Sequence, residues 1–369
     1  MNNEVLTQYK KQHLVKLIII ISLFASVFVF AFVSLFVGYS KLGFTDAFRG
    51  LFGVGDDKFI LIVRQIRLPR VLTAIIAGAG LALSGCIMQS ILKNPMASPS
   101  TLGVSNAAVF GANFAIVILG GGILGIGDKV TINNPYLVTS FAFIFSLISI
   151  VVILLLSKIK HFSNNTVVLA GIAIGTIFTA ATTLIQYFAS DTQLSSSVYW
   201  TFGNLGRTTY IEILVLTIVI FISFIFFYIF RWKFNALSSG TEMAKSLGVR
   251  VELLTCISLF LASLITALCV SFLGIIGFVG LAAPQIMKRV IGNDQKYLIP
   301  ASMFTGSILL LIADILSRVV MNGVTLPVGA ITSIFGGPLF IYILLKGKEH
   351  KLWLKSKISP FLIQRIKKY

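Results

Sequence analysis

Ten stretches of nearly uninterrupted apolar residues constrain this chain more than any other feature of its sequence. A helix needs about 20 such residues to cross the hydrocarbon core of a bilayer. Of all residues, 57% are hydrophobic and 11% are charged, which excludes a disordered protein, a disulfide-stapled domain and an ordinary cytosolic enzyme. The sequence therefore predicts an all-α polytopic membrane protein with about ten transmembrane helices. The predicted spans are residues 14–38, 71–92, 102–119, 136–156, 167–188, 211–230, 253–272, 275–290, 298–320 and 328–345.

Basic residues are distributed unevenly among the predicted loops. The net charge is +18, and we attribute it to basic cytoplasmic loops rather than to nucleic-acid binding, because Lys and Arg collect on the cytoplasmic side of membrane proteins. An even number of spans places both termini on one side, and most basic residues lie inside when that side is the cytoplasm. The first external loop is the exception, since it is basic and ends at Arg64, Arg67 and Arg70.

A single transmembrane domain is predicted over residues 1–369, with a cytoplasmic extension at 1–13 and a basic cytoplasmic tail at 347–369. The first apolar stretch is too long for the hydrophobic region of a signal peptide, and we predict that it is an anchor. Two halves of five helices would lie in opposite orientations, so an inverted five-helix repeat is possible.

Few charged side chains fall inside the apolar stretches. The cysteines form no CxxC and the three histidines lie near predicted membrane edges, so we predict no metal site and no catalytic site. Asp314 and Arg318 are four residues apart and can pair on one helix face. Two interpretations stay open: a structural ion pair, or an arginine that projects from the outer rim.

Ordered motifs run from about residue 66 to residue 346. The first half contains Arg67-Leu68-Pro69-Arg70, glycines from Gly78 to Gly85, and Asn94-Pro95-Met96-Ala97; the second half contains Gly277-Phe278-Val279-Gly280-Leu281, Pro284, Ala313-Asp314, Arg318 and Leu326-Pro327-Val328-Gly329. This series resembles the FecCD family, the permease subunits of ABC importers for iron chelates and vitamin B12. Glutamine follows Pro284, where the family usually has histidine.

The resemblance implies a bacterial cytoplasmic-membrane permease that pairs with a second permease copy or a related permease. It also implies two ATPase subunits, which would bind ATP-Mg, and an extracytoplasmic substrate-binding protein. This chain has no GxxxxGK[ST] motif, so we expect it to bind no cofactor of its own. A ferric siderophore is the expected cargo, with heme and cobalamin as alternatives.

The resemblance also assigns three groups of residues. Arg67 and Arg318 would meet acidic residues of the binding protein, since a guanidinium grips a carboxylate with two hydrogen bonds. The residues that would form a cytoplasmic gate are Asn94, Met96, Asn164 and Asn165. A segment at 236–251 would form the loop that couples to the ATPase, with Gly248 as a helix C-cap, and its proposed contact residues are Glu242, Ala244, Leu247 and Gly248.

Two other functions were weighed from the residues themselves. A membrane-embedded, lipid-modifying enzyme would need clustered acids or histidines near the interface, whereas the 12 acidic residues here are scattered. An ion-coupled secondary transporter would usually place carboxylates near the middle of the membrane, and only Asp314 lies close to such a position.

Overall fold

Helices follow one another along the chain in a computed structural model that describes residues 3–38, 44–121, 124–126, 129–131, 134–159, 164–321 and 325–342. The elements, in chain order, are α1 (Asn3–Phe36), α2 (Phe44–Phe52), α3 (Asp57–Leu61), a π-helical segment (Ile62–Arg67), α4 (Leu68–Ile91), α5 (Val104–Asn113), a second π-helical segment (Phe114–Ile118), β1 (Leu124–Ile126), β2 (Lys129–Thr131), α6 (Pro135–Ile159), α7 (Asn164–Tyr187), α8 (Asp191–Thr201), a 3₁₀ turn (Leu205–Arg207), α9 (Tyr210–Ile229), α10 (Arg231–Ser239), α11 (Thr241–Ser246), α12 (Val251–Leu273), α13 (Val279–Ile291), α14 (Gln295–Val319) and α15 (Val328–Tyr342).

Each of the ten predicted apolar stretches contains a helix. Within the described part of the chain, seven of them are long and apolar enough to cross a membrane: Lys10–Phe36, Asp57–Ile91, Pro135–Ile159, Asn165–Tyr187, Tyr210–Ile229, Val251–Leu273 and Gln295–Val319. The other three predicted stretches contain shorter helices, at Val104–Ile118, Val279–Ile291 and Val328–Tyr342. The predicted tail at 347–369 lies outside the described residues, whereas the described part of the predicted extension belongs to α1.

The α4 helix lies at the centre of the bundle. It contacts α14, α12, α13 and α9, and most of its residues are buried, whereas α1 and α7 are largely exposed along their sides. Glycines allow the close approach: a Cβ on Gly85 would lie 1.7 Å from the carbonyl oxygen of Gly280, and one on Gly78 would lie 2.5 Å from that of Gly306. In a membrane, the hydrophobic effect does not drive helices together, and small residues allow the close backbone packing that does.

Two elements that lie between the predicted membrane spans were not predicted. β1 and β2 form an antiparallel hairpin within the segment 120–134, in which Leu124 pairs with Thr131, so the fold is nearly all-helical rather than all-α. β-branched residues at Ile126, Val130 and Thr131 favour the extended backbone there. The second element, α8, is too polar for a membrane span and begins with a capping box formed by Ser190 and Gln193.

Candidate docking, gate and coupling sites

A buried cluster of charges joins α4 to α14 near the first residues of α4. Asp314 is completely buried, and its two carboxylate oxygens each lie 2.5 Å from an arginine nitrogen, Oδ1 from Arg70 Nε and Oδ2 from a terminal nitrogen of Arg318. Ser317 Oγ accepts a further hydrogen bond from Arg70 at 3.1 Å. The ion pair of Asp314 with Arg318, one of the two interpretations left open by the sequence, is therefore observed, and the sequence interpretation missed Arg70 as the second partner.

The two arginines predicted to dock a binding protein both hold the end of α1. Arg67 donates to the carbonyl oxygens of Leu35 and Phe36 at 2.7 and 3.1 Å. Arg318 donates to the carbonyl oxygens of Ser34 and Val37 at 3.0 and 2.6 Å. The last carbonyl groups of a helix have no partner inside that helix, and a cation there also interacts favourably with the helix dipole.

The position of these guanidinium groups bears on the docking prediction. Both arginine side chains are mostly buried, with relative exposures of 4% for Arg67 as a residue and 7% for the Arg318 side chain. In this structure they stabilise the junction of α1, α4 and α14. Their docking role stays a prediction, and it would require carboxylates of a partner to compete with the α1 carbonyl groups.

Two of the four predicted gate residues, Asn94 and Asn165, line one cavity at the opposite end of α4. The turn after α4 contains Asn94, whose Oδ1 accepts a hydrogen bond from the backbone N–H of Met96 at 2.9 Å. A cavity of about 510 Å³ lies between this turn and the first turns of α7, and its lining includes Asn94, Asn165 and Leu169. The structure therefore brings together two segments that are about 70 residues apart in the chain.

Two details of the gate differ from the sequence interpretation. Asn164 and Asn165 belong to the first turn of α7 rather than to a turn before it. Met96, the predicted apolar plug, has a relative exposure of 54% within this single chain. A side chain this exposed is available to a second permease copy, and its role as a plug stays a prediction.

The predicted coupling loop consists of two short helices, α10 and α11. A Schellman motif ends α11: the N–H of Gly248 donates to the carbonyl of Lys245 at 2.9 Å, and the N–H of Val249 donates to that of Ala244 at 3.0 Å. Gly248 has φ +78°, in the left-handed region that glycine adopts without strain. The predicted capping role of Gly248 is confirmed.

Only some of the proposed contact residues of the coupling loop are accessible to an ATPase subunit. Met243 and Leu247 are exposed, but Ala244 is completely buried and packs within the chain, so it cannot contact a partner in this conformation. Ala244 is instead a small residue that lets α11 lie against the bundle. Glu242 and Lys245 form an exposed ion pair at 3.2 Å, which leaves both charges accessible.

A polar face on α7 was not predicted. Thr176, Thr179 and Thr183 are exposed on one side of the helix, and Asn106 of α5 lies beside them, with its amide nitrogen 3.1 Å from Thr179 Oγ1. On the same side of α7, two turns nearer its first residue, the apolar Leu169 lines the gate cavity. The spacing of three and four residues could have revealed this face, although each threonine taken alone looks like an ordinary residue of a membrane helix.

Comparisons with known proteins agree with this geometry. The model of the FecCD transport family matches residues 25–346. A Methanocaldococcus jannaschii protein named as an ABC transporter permease is 48% identical over 337 residues, covering 91% of this chain and 95% of the relative. The Fe(3+)-citrate import system permease protein of Bacillus subtilis is 36% identical over 294 residues, covering 78% of this chain and 83% of the relative.

A solved structure has the same fold. It is an inward-facing conformation of a metal-chelate type ABC transporter, and the TM-score is 0.76 at 26% identity, covering 90% of this chain and 99% of that one. The helical bundle and the family match define a multi-pass inner-membrane permease subunit of an ABC transporter. The chain belongs to the FecCD transport family. It is a transport subunit and not an enzyme, and ATP is hydrolysed by a separate subunit of such transporters.

Proposed function

We propose that this chain forms half of the translocation pathway of an ATP-driven importer for an iron chelate. The observation that carries this proposal is the polar face of α7 formed by Thr176, Thr179 and Thr183, on the same side of the helix as Leu169, which lines the gate cavity. A single exposed threonine is tolerated in lipid, because its hydroxyl bonds to the carbonyl four residues before it. Three of them on one side of a membrane helix, next to the Asn106 amide, favour a water-filled pathway. The pathway would be completed by a second permease copy placed against this face.

The proposed assembly contains two permeases, two ATPase subunits that bind ATP-Mg, and an extracytoplasmic binding protein. Exposed Met243 and Leu247 at the α10–α11 hairpin offer an apolar contact to an ATPase. The arginine cluster lies at the other end of α4, and a helix of 24 residues is about 36 Å long, which separates the two proposed contact regions by a membrane thickness. The hairpin end and both termini would then be cytoplasmic.

Ten membrane crossings in one domain follow from the same proposal, with the three short helices completing the seven long ones. The third crossing of each half supports an inverted repeat. α5 begins after Gly103, which has φ +79°, and α13 begins after Phe278, which has φ +63°. A left-handed residue directly before a short helix at matching positions indicates two related halves, since such a conformation is uncommon for phenylalanine.

The cargo is proposed from the resemblance and the relatives together. The Bacillus subtilis relative is named for ferric citrate import, and the solved neighbour for metal-chelate transport. We propose a ferric siderophore or another ferric chelate as cargo, ahead of heme and cobalamin. The wide gate cavity, which is larger than a bare ion needs, is compatible with cargo of this size.

Reconstitution into liposomes with the cognate ATPase and binding protein tests the function. We expect ATP-dependent uptake of a ferric chelate, and no uptake when the ATPase subunit cannot hydrolyse ATP. Uptake by this chain alone, driven by an ion gradient, would instead favour a secondary transporter. If heme or cobalamin is taken up and no ferric chelate is, the proposed cargo is wrong, but the chain is still part of an ATP-driven importer.

A matched pair of variants tests the position of the pathway. Thr176→Trp places a bulky side chain on the polar face of α7, and we expect it to block uptake. Thr217→Trp makes the same change on an exposed position of α9, which we place against lipid, and we expect uptake to continue. Equal uptake by both variants would show that the pathway does not follow α7.

A further inference from the structure

A second, polar cavity lies beside the α10–α11 hairpin and adjoins the gate cavity, with which it shares the lining residues Lys93 and Pro95. It has a volume of about 240 Å³ and is bounded by α4, α10, α13 and the segment before α14. Two lysines, Lys93 and Lys288, line it together with amide and hydroxyl side chains that include Gln89, Gln285 and Ser238. No carboxylate contributes to the lining among the residues that the structure describes. The two lysines therefore give the cavity a positive charge. The neighbouring carboxylate, Asp294, does not line the cavity, and its Oδ1 accepts hydrogen bonds from the Asn235 amide and the Lys296 N–H.

Lys288 is the deeper of the two ammonium groups. Its Nζ lies 3.1 Å from Gln89 Oε1, and the same oxygen accepts a hydrogen bond from Gln285 Nε2 at 2.6 Å. Within the described part of the chain, no carboxylate lies within ion-pair distance of Lys288. An ammonium group has three donors, so one hydrogen bond to an amide leaves it incompletely satisfied in a half-buried position.

Lys93 approaches the cavity from the turn that follows α4. Its backbone has φ +47°, which is uncommon for a residue with a side chain. Its Nζ lies 3.5 Å from Thr241 Oγ1 at the start of α11, and this is the polar contact that the structure gives to the ammonium group. Two ammonium groups from α13 and from the end of α4 therefore line one cavity, next to the first residue of α11.

We propose that this cavity binds a phosphate group, either the headgroup phosphate of an anionic phospholipid or free inorganic phosphate. Two lysines and neutral amide donors suit an anion with several acceptor oxygens, and lysine binds phosphate as a point charge. The volume is below the range of about 300–1,000 Å³ that is typical for drug-sized ligands, so a phosphate or a small headgroup fits better than a nucleotide. An anion held there would link α4, α10 and α13.

Binding is tested with the full chain, delipidated in a maltoside detergent that contains no phosphate. The melting temperature is followed while inorganic phosphate replaces chloride at constant ionic strength, and in parallel while phosphatidylglycerol or phosphatidylcholine is added. A ligand that binds only the folded state raises the melting temperature saturably. A response to inorganic phosphate identifies a site open to the free ion, whereas a response to phosphatidylglycerol alone identifies a headgroup site.

Four variants locate the response. Lys288→Gln and Lys93→Gln should each weaken the apparent affinity about tenfold, which is the loss expected for one charge-assisted hydrogen bond. Lys288→Arg should retain most of the apparent affinity, because arginine keeps the positive charge. This variant therefore distinguishes loss of charge from failure to fold. Lys158→Gln removes an exposed lysine of α6 that lies outside the cavity and should leave the affinity unchanged. The proposal is overturned if neither ligand stabilises the protein, or if Lys288→Gln and Lys93→Gln respond as the unmodified chain does.

Discussion

Arg70 of α4 and Asp314 of α14 form a buried ion pair across the two helices that pack at the centre of the bundle. Asp314 also pairs with Arg318, so one carboxylate compensates two guanidinium groups. The Arg318 guanidinium in turn donates to Ser34 and Val37 at the end of α1. The three helices are therefore joined by a single network of charges. Because Asp314 is its central member, we expect substitution of Asp314 to lower the stability of the protein most.

Asp314→Asn should destabilise the protein by about 3 kcal/mol or more, because removing one member of a buried charge network leaves the others uncompensated. Thermal unfolding of the purified chain in detergent measures the change. The control is Glu242→Gln, which breaks an exposed ion pair and should shift the midpoint little. Similar midpoints for the two variants would contradict the structural role of Asp314.

Arg67→Gln should weaken association with the cognate binding protein by up to about fivefold and reduce its salt dependence, if this arginine meets a carboxylate of the partner. Arg49→Gln, in the same predicted external loop, removes the same charge at an exposed position and is the control. Affinity is measured with the assembled transporter at low and high salt. Equal effects of the two variants would mean that the loop attracts the partner only through its overall charge.

Charge reversal at Arg318 is a less selective test of docking. Arg318→Glu would bring a second carboxylate next to Asp314 and remove three hydrogen bonds to the end of α1, two to Ser34 and one to Val37. The double variant Arg67→Glu with Arg318→Glu should therefore lose both binding-protein affinity and stability. Basal ATP hydrolysis of the assembled complex distinguishes these outcomes, since a folded complex with impaired docking retains it.

Met96→Cys, in a chain whose native cysteines are replaced by alanine, should form a disulfide across the permease dimer and block uptake. The expectation rests on the exposure of Met96 and on the cavity that its turn shares with Asn165. Reduction of the disulfide should restore transport, which controls for damage by the substitution itself. Normal uptake by a fully crosslinked sample would show that this turn does not close the pathway.

Gly248→Val should abolish coupled transport while the chain still reaches the membrane. A Cβ at this position would meet no atom within 4 Å, so the cost comes from the backbone, which has φ +78°. A left-handed conformation costs about 1–2 kcal/mol for most residues. Gly248→Asn is the matched control, because asparagine tolerates this region better and should retain more activity.

Both Gly248 variants are measured for expression, for ATPase association and for uptake. Loss of association and uptake in the valine variant alone would support the hairpin as the coupling element. If both variants associate with the ATPase and transport normally, the hairpin is not the coupling element.

Apolar stretches, charge distribution and ordered motifs were sufficient to predict the membrane class, the helical architecture and the family. These properties follow from local sequence, because a lipid-facing helix satisfies its own backbone hydrogen bonds and needs only apolar side chains. The i, i+4 spacing likewise showed that Asp314 and Arg318 could pair, since one turn of helix fixes their separation. Gly248 was recognised as a cap for the same reason, as capping depends on a few neighbouring residues.

Contacts between distant residues required the tertiary structure. Arg70 precedes its partner Asp314 by more than 240 positions in the chain, and only the packing of α4 against α14 brings them together. The burial of Ala244, the shared cavity of Asn94 and Asn165, and the convergence of Lys93 and Lys288 depend in the same way on how helices pack. Sequence periodicity fixes which side chains share a helix face, but the neighbour of that face is decided by the close approach of whole helices, which a linear pattern does not encode.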